Sequence, residues 1–230
     1  MRPTTPVSDL ATVLVTGFEP FDKAALNPSW EIARALDGRV LPGGARVVAV
    51  QLPCVFGDAL AALDAALVQH QPTVVIALGL AGGRTALSIE RVAINVDDAR
   101  IADNAGKQPI DAAVVAQAPA AYFARLPIKH AVDAVRKAGV PAEVSNTAGT
   151  FVCNHVFYGL MHRLHTVPAL AQVRGGFVHV PYLPEMAAAL PGAPSMDLAT
   201  QVRGMEALLN AVLAHDPQQQ DLQLSAGQLH

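Results

Sequence analysis

Near-continuous apolar runs, rich in β-branched residues, recur along this 230-residue chain, and each is followed by a turn and a helix-patterned segment. The runs are Thr12–Thr16, Arg46–Val50, Thr73–Leu78 and Gly176–Val180, with a shorter one at Ala142–Val144. A strand with one wet face alternates apolar and polar residues; a strand apolar throughout must be covered on both sides. Caps and periodicity predict the covering helices: Asn27-Pro28 opens one that Gly38 closes, and others run Gly57–Gln69, Pro127–Lys137, Phe151–Leu164 and Leu198–Ala214. Between Arg84 and Ile101 the pattern switches to alternation and predicts an inserted pair of strands, Ala86–Ile89 and Val92–Val96. The expected fold is α/β: a single-domain three-layer α/β/α sandwich with a mixed twisted sheet. Residues 1–215 form that domain, and the Gln-rich stretch 216–230 has too few large apolar residues to offset ordering entropy, so a disordered or loosely attached tail is expected.

Apolar residues make up 52% of the chain and charged ones only 15%, more apolar surface than a small monomer needs, which points to burial between subunits. A net charge of -3 and Lys/Arg runs no longer than two residues argue against nucleic acid or an anionic membrane as partner. Small, weakly charged partners are favoured instead. The first ten residues lack the basic start and apolar run of a secretory signal, and no apolar stretch reaches the roughly 20 residues of a membrane span. The expectation is a soluble cytoplasmic protein, where two cysteines, Cys54 and Cys153, would stay reduced.

Several common chemistries lack their signatures. Gly79-Leu80-Ala81-Gly82-Gly83-Arg84 follows a predicted strand, yet has the spacing of neither a dinucleotide fingerprint nor a phosphate loop, and reads as a tight turn that lets backbone approach a ligand. No Gly-x-Ser-x-Gly elbow and no His-Glu-x-x-His pair occurs. His155, His162 and His165 share a helix with no carboxylate at ligand spacing, so exposed helix histidines are a simpler account than a metal site.

Nucleophilic chemistry has better support. Cys153 follows the small turn residues of Ser145-Asn146-Thr147-Ala148-Gly149-Thr150, in the first turn of a predicted helix, where the dipole favours thiolate. Position alone also allows a small buried hydrophobe. His179 lies within an apolar strand and is either a base or a core histidine bonded to backbone. Glu90 sits at a bend between two predicted strands, as an orienting acid or a surface partner of Arg91. Phe18 and Phe21 flank Glu19-Pro20 just after the first strand, at the sheet end where α/β proteins bind ligands, either facing a ligand or stapling the loop to the core.

Taken together, these segments resemble the pyroglutamyl-peptidase I family of cysteine exopeptidases. The resemblance spans Val13 to Glu185 and rests on Thr16-Gly17-Phe18-Glu19-Pro20-Phe21, Asn27-Pro28-Ser29, Gly82-Gly83-Arg84, Glu90-Arg91-Val92-Ala93-Ile94-Asn95, Asp103-Asn104 with Gln108-Pro109, Ser145 to His155, and Gly175 to Pro181. It implies Cys153 as nucleophile, His179 as base and Glu90 as acidic triad member, with Arg91 helping at the oxyanion and Phe18 and Phe21 walling the substrate ring. Leu80 would contribute main chain to the lactam. The resemblance further implies removal of an N-terminal pyroglutamyl residue from peptides through a thioester, no metal or organic cofactor, and a homotetramer. Where relatives often carry Gly-Gly, this chain has Asp22-Lys23, and Ala105 stands where an acidic residue is frequent. Two other classes share these features in part: a different hydrolase or a phosphorylase on the same scaffold, and a catalytically silent binder of pyroglutamyl peptides.

Overall fold

Side-chain alternation along the central strands gives each face of the sheet its own helix layer. The computed structural model describes residues 11–227. Its strands are β1 (Thr12–Phe18), β2 (Arg46–Leu52), β3 (Val74–Leu80), β4 (Leu87–Glu90), β5 (Val92–Ile94), β6 (Ala121–Phe123), β7 (Ala142–Ser145) and β8 (Arg174–Val180). Six of them form one sheet in the order β2-β1-β3-β8-β4-β7. All neighbours are parallel except β4 and β8, so the sheet is mixed, as expected.

Val13, Val15, Val74, Ile76, Val178 and Val180 point to one side, where they pack with α1 (Pro28–Leu36), α3 (Ile128–Lys137) and α6 (Leu198–Ala214). Leu14, Val75, Ala77 and Phe177 point to the other, against α2 (Asp58–His70) and α4 (Val152–Thr166). Local chemistry starts these helices where the sequence places them. The Asn27 side chain accepts the Ser29 N–H at 3.1 Å with Pro28 in the first turn, and Asp197 caps α6 through Thr200. A short α5 (Pro184–Ala187), which the sequence pattern does not reveal, follows β8.

The inserted strands depart from expectation, because β4 and β5 do not pair with each other. β4 enters the main sheet between β8 and β7, while β5 pairs with β6 in a separate two-stranded sheet. The reason lies in where the backbone finds partners. The Arg91 N–H donates to the Ser145 carbonyl at 2.8 Å, and buried Asn154 on α4 bonds both the N–H and the carbonyl of Ile94.

The tail is described as far as residue 227, and residues 228–230 lie outside the described residues. Asp221 accepts the N–H groups of Lys129 and His130 at 2.9 Å each, which satisfies the otherwise uncapped first turn of α3. Ala226 then packs on the α1/α3/α6 side of the core, and its carbonyl accepts from Arg91.

Candidate active site

The ends of β1 and β3 lie side by side where the chain reverses its direction of winding, and a cavity of about 1100 Å³ opens there. Phe18 at the end of β1, Phe21 beyond it, Leu80 at the end of β3 and Cys153 all line it. The structure therefore brings the two expected phenylalanines and the expected nucleophile into one space. Phe18 is buried, whereas Phe21 is partly exposed and packs on Phe151, with ring centroids 5.3 Å apart. The loop between them is tied down: the Glu19 carboxylate accepts from the Cys54 N–H at 3.0 Å and Asn104 Nδ2 at 2.8 Å. Asp22 and Lys23 adopt φ of 50° and 63°, the left-handed region that glycine enters without strain.

Cys153 is the second residue of α4, whose first-turn N–H groups have no acceptor within the helix. Its sulfur lies against β3 at Gly79, so close that a Cβ added there would stand 2.7 Å from Sγ. Gly79 is in register with His179 on β8, and both belong to the α4 side of the sheet. Across the antiparallel β8/β4 pair, Ser88 opposes His179, which puts Glu90 on the same face one diagonal step away. The His179 Nδ1–H donates to Glu90 Oε1 at 2.7 Å, leaving Nε2 as the basic nitrogen. Glu90 is fully buried, so it is not a surface partner of Arg91.

Arg91, expected at the oxyanion, has its guanidinium bonded elsewhere in this structure. Side chains alternate across a strand, and the residue after Glu90 faces away from the site. Its guanidinium donates to Asn146 Oδ1 at 2.9 Å and to the Ala226 carbonyl. Arg100 lines the cavity, and Arg84 does reach the acid, with Nη1 3.0 Å from Glu90 Oε1. Sequence reasoning quoted its Gly-Gly-Arg motif without giving it a role.

Electrostatics modify the expected thiolate. Burial pushes the Cys153 thiol well above its ordinary value, neighbouring Cys54 and Glu90 act in the same direction, and Arg84 opposes them. The helix start also favours thiolate, but it works against desolvation. Burial likewise holds the His179 imidazole below its usual range despite Glu90. Cys54, which also lines the cavity, is pushed up to about 12 by burial and by the Glu19 and Asp103 carboxylates. Cys54, Phe151 and Tyr182 are cavity residues that sequence reasoning missed. Tyr182 had a signal: Gly82 is glycine because a Cβ there would stand 2.3 Å from the tyrosine oxygen.

The helix histidines are not uniformly exposed. His165 is exposed, but His155 is buried, with Nδ1 2.8 Å from Asp97 and Nε2 accepting the Gly57 N–H at 3.0 Å. Among the described residues, no group of three or more His, Cys, Asp or Glu side chains is placed to hold a metal ion. None of their helices is long and apolar enough to cross a membrane.

Comparison with known proteins accords with this arrangement. The family model for pyroglutamyl peptidase matches residues 11–215. Pyrrolidone-carboxylate peptidases of Cupriavidus taiwanensis and Escherichia fergusonii are 60% and 55% identical, each over 96% of this chain and 100% of the relative. The crystal structure of pyroglutamyl peptidase I from Bacillus amyloliquefaciens superposes with a TM-score of 0.86 at 44% identity, covering 90% of this chain and 96% of that one. A mutant pyrrolidone carboxyl peptidase from Pyrococcus furiosus gives 0.84 at 41% identity, over 88% and 98%. With a matching family model, close relatives over nearly the whole chain and the same fold, this chain belongs to the pyroglutamyl peptidase family of cysteine-type hydrolases.

Proposed function

We propose that the protein removes an N-terminal pyroglutamyl residue from peptides by a Cys153-His179-Glu90 triad. The observation that carries this is the placement of the Cys153 sulfur in the cavity wall, over the strand position that pairs with His179, while His179 donates to buried Glu90. Pyroglutamate is a neutral five-membered lactam without a free α-amine. Phe18 and Phe21 suit its ring faces, and the main chain around Leu80 supplies partners for its amide.

His179 Nε2 takes the Cys153 proton as sulfur attacks the pyroglutamyl carbonyl. The Cys153 backbone N–H, free of intrahelical bonding, meets the developing oxyanion. The imidazolium, stabilised by Glu90, then protonates the departing amine as the C–N bond breaks and leaves a thioester. Water, deprotonated by His179, releases 5-oxoproline and the free thiol. The exposed apolar side chains of Val40, Val68, Ile110 and Phe123 support an assembly of several subunits, a homotetramer on this reading, which mass in solution tests.

Release of a fluorophore from an L-pyroglutamyl amide under reducing conditions tests the activity. The corresponding prolyl amide should be a very poor substrate, because it leaves the lactam partners of the site unpaired. Turnover that survives Cys153→Ala would overturn the triad.

A further inference from the structure

We propose that Arg84 is a positioning residue for this reaction: it holds Glu90 against His179 and ties that pair to the loop that delivers Cys153. The proposal rests on the triad reading above. Its basis is a fork of two hydrogen bonds. Nη1 donates to Glu90 Oε1 at 3.0 Å, the oxygen that also accepts from His179, and Nη2 donates to the Thr147 carbonyl at 3.3 Å. Thr147 belongs to the turn that leads into α4, and its carbonyl also accepts the Ser145 hydroxyl at 3.1 Å. One guanidinium thus spans the acid on β4 and the approach to the nucleophile.

Charge explains why an arginine is needed. Glu90 is completely buried, and its Oε2 has no hydrogen-bond partner among the described residues. A carboxylate taken out of water requires a compensating charge. A neutral His179 offers a hydrogen bond and no charge, so the permanent cation is Arg84, which remains charged throughout the cycle. The turn is shaped for this: Gly83 adopts φ +85°, and the Arg84 N–H closes back on the Ala81 carbonyl. Arg84 does not line the cavity, so substrate binding should not depend on it directly.

The titratable and charged groups around His179 are Glu90 on β4, Arg84 in the β3–β4 turn and Cys153 on α4, with Cys54 beside Cys153. Among these, Glu90 favours the imidazolium and Arg84 disfavours it. Removing the arginine charge therefore moves the acid limb of the pH profile, which reports a neutral His179, toward higher pH.

The experiment compares kcat, KM and the pH dependence of kcat/KM for the wild type, Arg84→Met and Arg84→Lys on an L-pyroglutamyl amide. Arg84→Met should lower kcat about 10- to 100-fold, the range for losing a charge-assisted hydrogen bond, leave KM within about threefold, and shift the acid limb upward. Arg84→Lys restores the charge without the fork and should return the acid limb to its wild-type position with part of the rate. An unshifted acid limb in Arg84→Met overturns the proposal whatever the rate, as does an Arg84→Lys enzyme no better than Arg84→Met. If Arg84→Met does not fold, Arg84→Gln, neutral but hydrogen-bonding, must show the same displaced limb. An inactive wild type or an active Cys153→Ala enzyme would instead strike the triad reading itself.

Discussion

Gly79→Ala is the sharpest test of where the sulfur lies. Gly79 has no positive φ, so alanine is acceptable to the backbone and the whole effect is steric. The new methyl would stand 2.7 Å from Cys153 Sγ and 2.7 Å from Phe177 Cζ, about 1 Å inside the ordinary 3.5–4.0 Å contact distance. Phe177 is fully buried and packs against Phe157, so it yields little, and the thiol on the cavity side must move. Overpacking of this kind costs about 1–3 kcal/mol of stability. Displacing a reacting atom by about 1 Å costs about 100-fold in rate. The assay is kcat/KM on an L-pyroglutamyl amide, with thermal unfolding measured on the same samples. Gly176→Ala is the matched control, because its methyl meets a flexible leucine, Leu126 Cδ1 at 2.4 Å, rather than the thiol. It should lose stability and keep its rate. In a Cys153→Ala background the penalty of Gly79→Ala should shrink, since one of the two obstructing atoms is gone, and that coupling is read from the double-mutant cycle. A Gly79→Ala enzyme with kcat within threefold of wild type would refute the placement of Cys153 over β3.

Four further measurements bear on the rest of the site. Phe18→Ala should lose about 3–5 kcal/mol of stability because the ring is buried, while Phe21→Ala, at a partly exposed ring, should mainly raise KM; the reverse ranking would contradict the cavity geometry. Lys23→Gly should stabilise the protein by up to about 1 kcal/mol by relieving a left-handed conformation, and an unchanged or lower melting temperature counts against that strain. Iodoacetamide at neutral pH should inactivate the enzyme with Cys153 alkylated and Cys54 intact, because Cys54 is buried whereas Cys153 is partly exposed and, on the triad reading, has His179 to take its proton; peptide mapping that finds Cys54 modified first would be contrary. Burial holds His179 below its ordinary 6.5, so unfolded chains bind a proton that the native site resists; stability from this group is complete above about pH 6.5 and declines as pH falls through the window beneath it, at most about 1.4 kcal/mol per pH unit. Denaturant midpoints at pH 5.5 and 7.5 should show that decline, reduced in His179→Ala.

The central layer was legible because its residues obey one constraint at a time. Val74, Val75 and Ile76 are apolar because both faces of β3 are covered, and Asn27-Pro28 or Asp197 start helices by chemistry confined to a few residues. Sequence failed where the deciding partner is distant. β5 was visible as an apolar alternation, but its pairing with Ala121–Phe123 depends on Asn154, 60 residues from Ile94. The bond that links the tail to α3 is likewise one carboxylate at a helix start 91 residues away. Cys153, His179 and Glu90 were each ambiguous singly and became a set through resemblance. The contact of Arg84 with Glu90 was hidden because it depends on a turn that folds a residue six positions back over onto the carboxylate, whereas the adjacent Arg91 bonds Asn146.

The same distance dependence governs the sulfur. A helix start is a local signal and argues for thiolate, while burial is a property of the assembled site and argues for thiol. In the folded protein burial raises the Cys153 thiol and lowers the His179 imidazole, so it works against the charged form of each. On the proposed reading, the groups around the pair act on the charge that develops as sulfur attacks. Glu90, with Arg84 behind it, is already oriented toward the imidazolium that forms at that moment, and the first-turn N–H groups of α4 toward the oxyanion. Preorganised partners of this kind act on the transition state more than on the resting thiol, which makes kcat the quantity that loses most when Glu90, Arg84 or the Gly79 gap is altered.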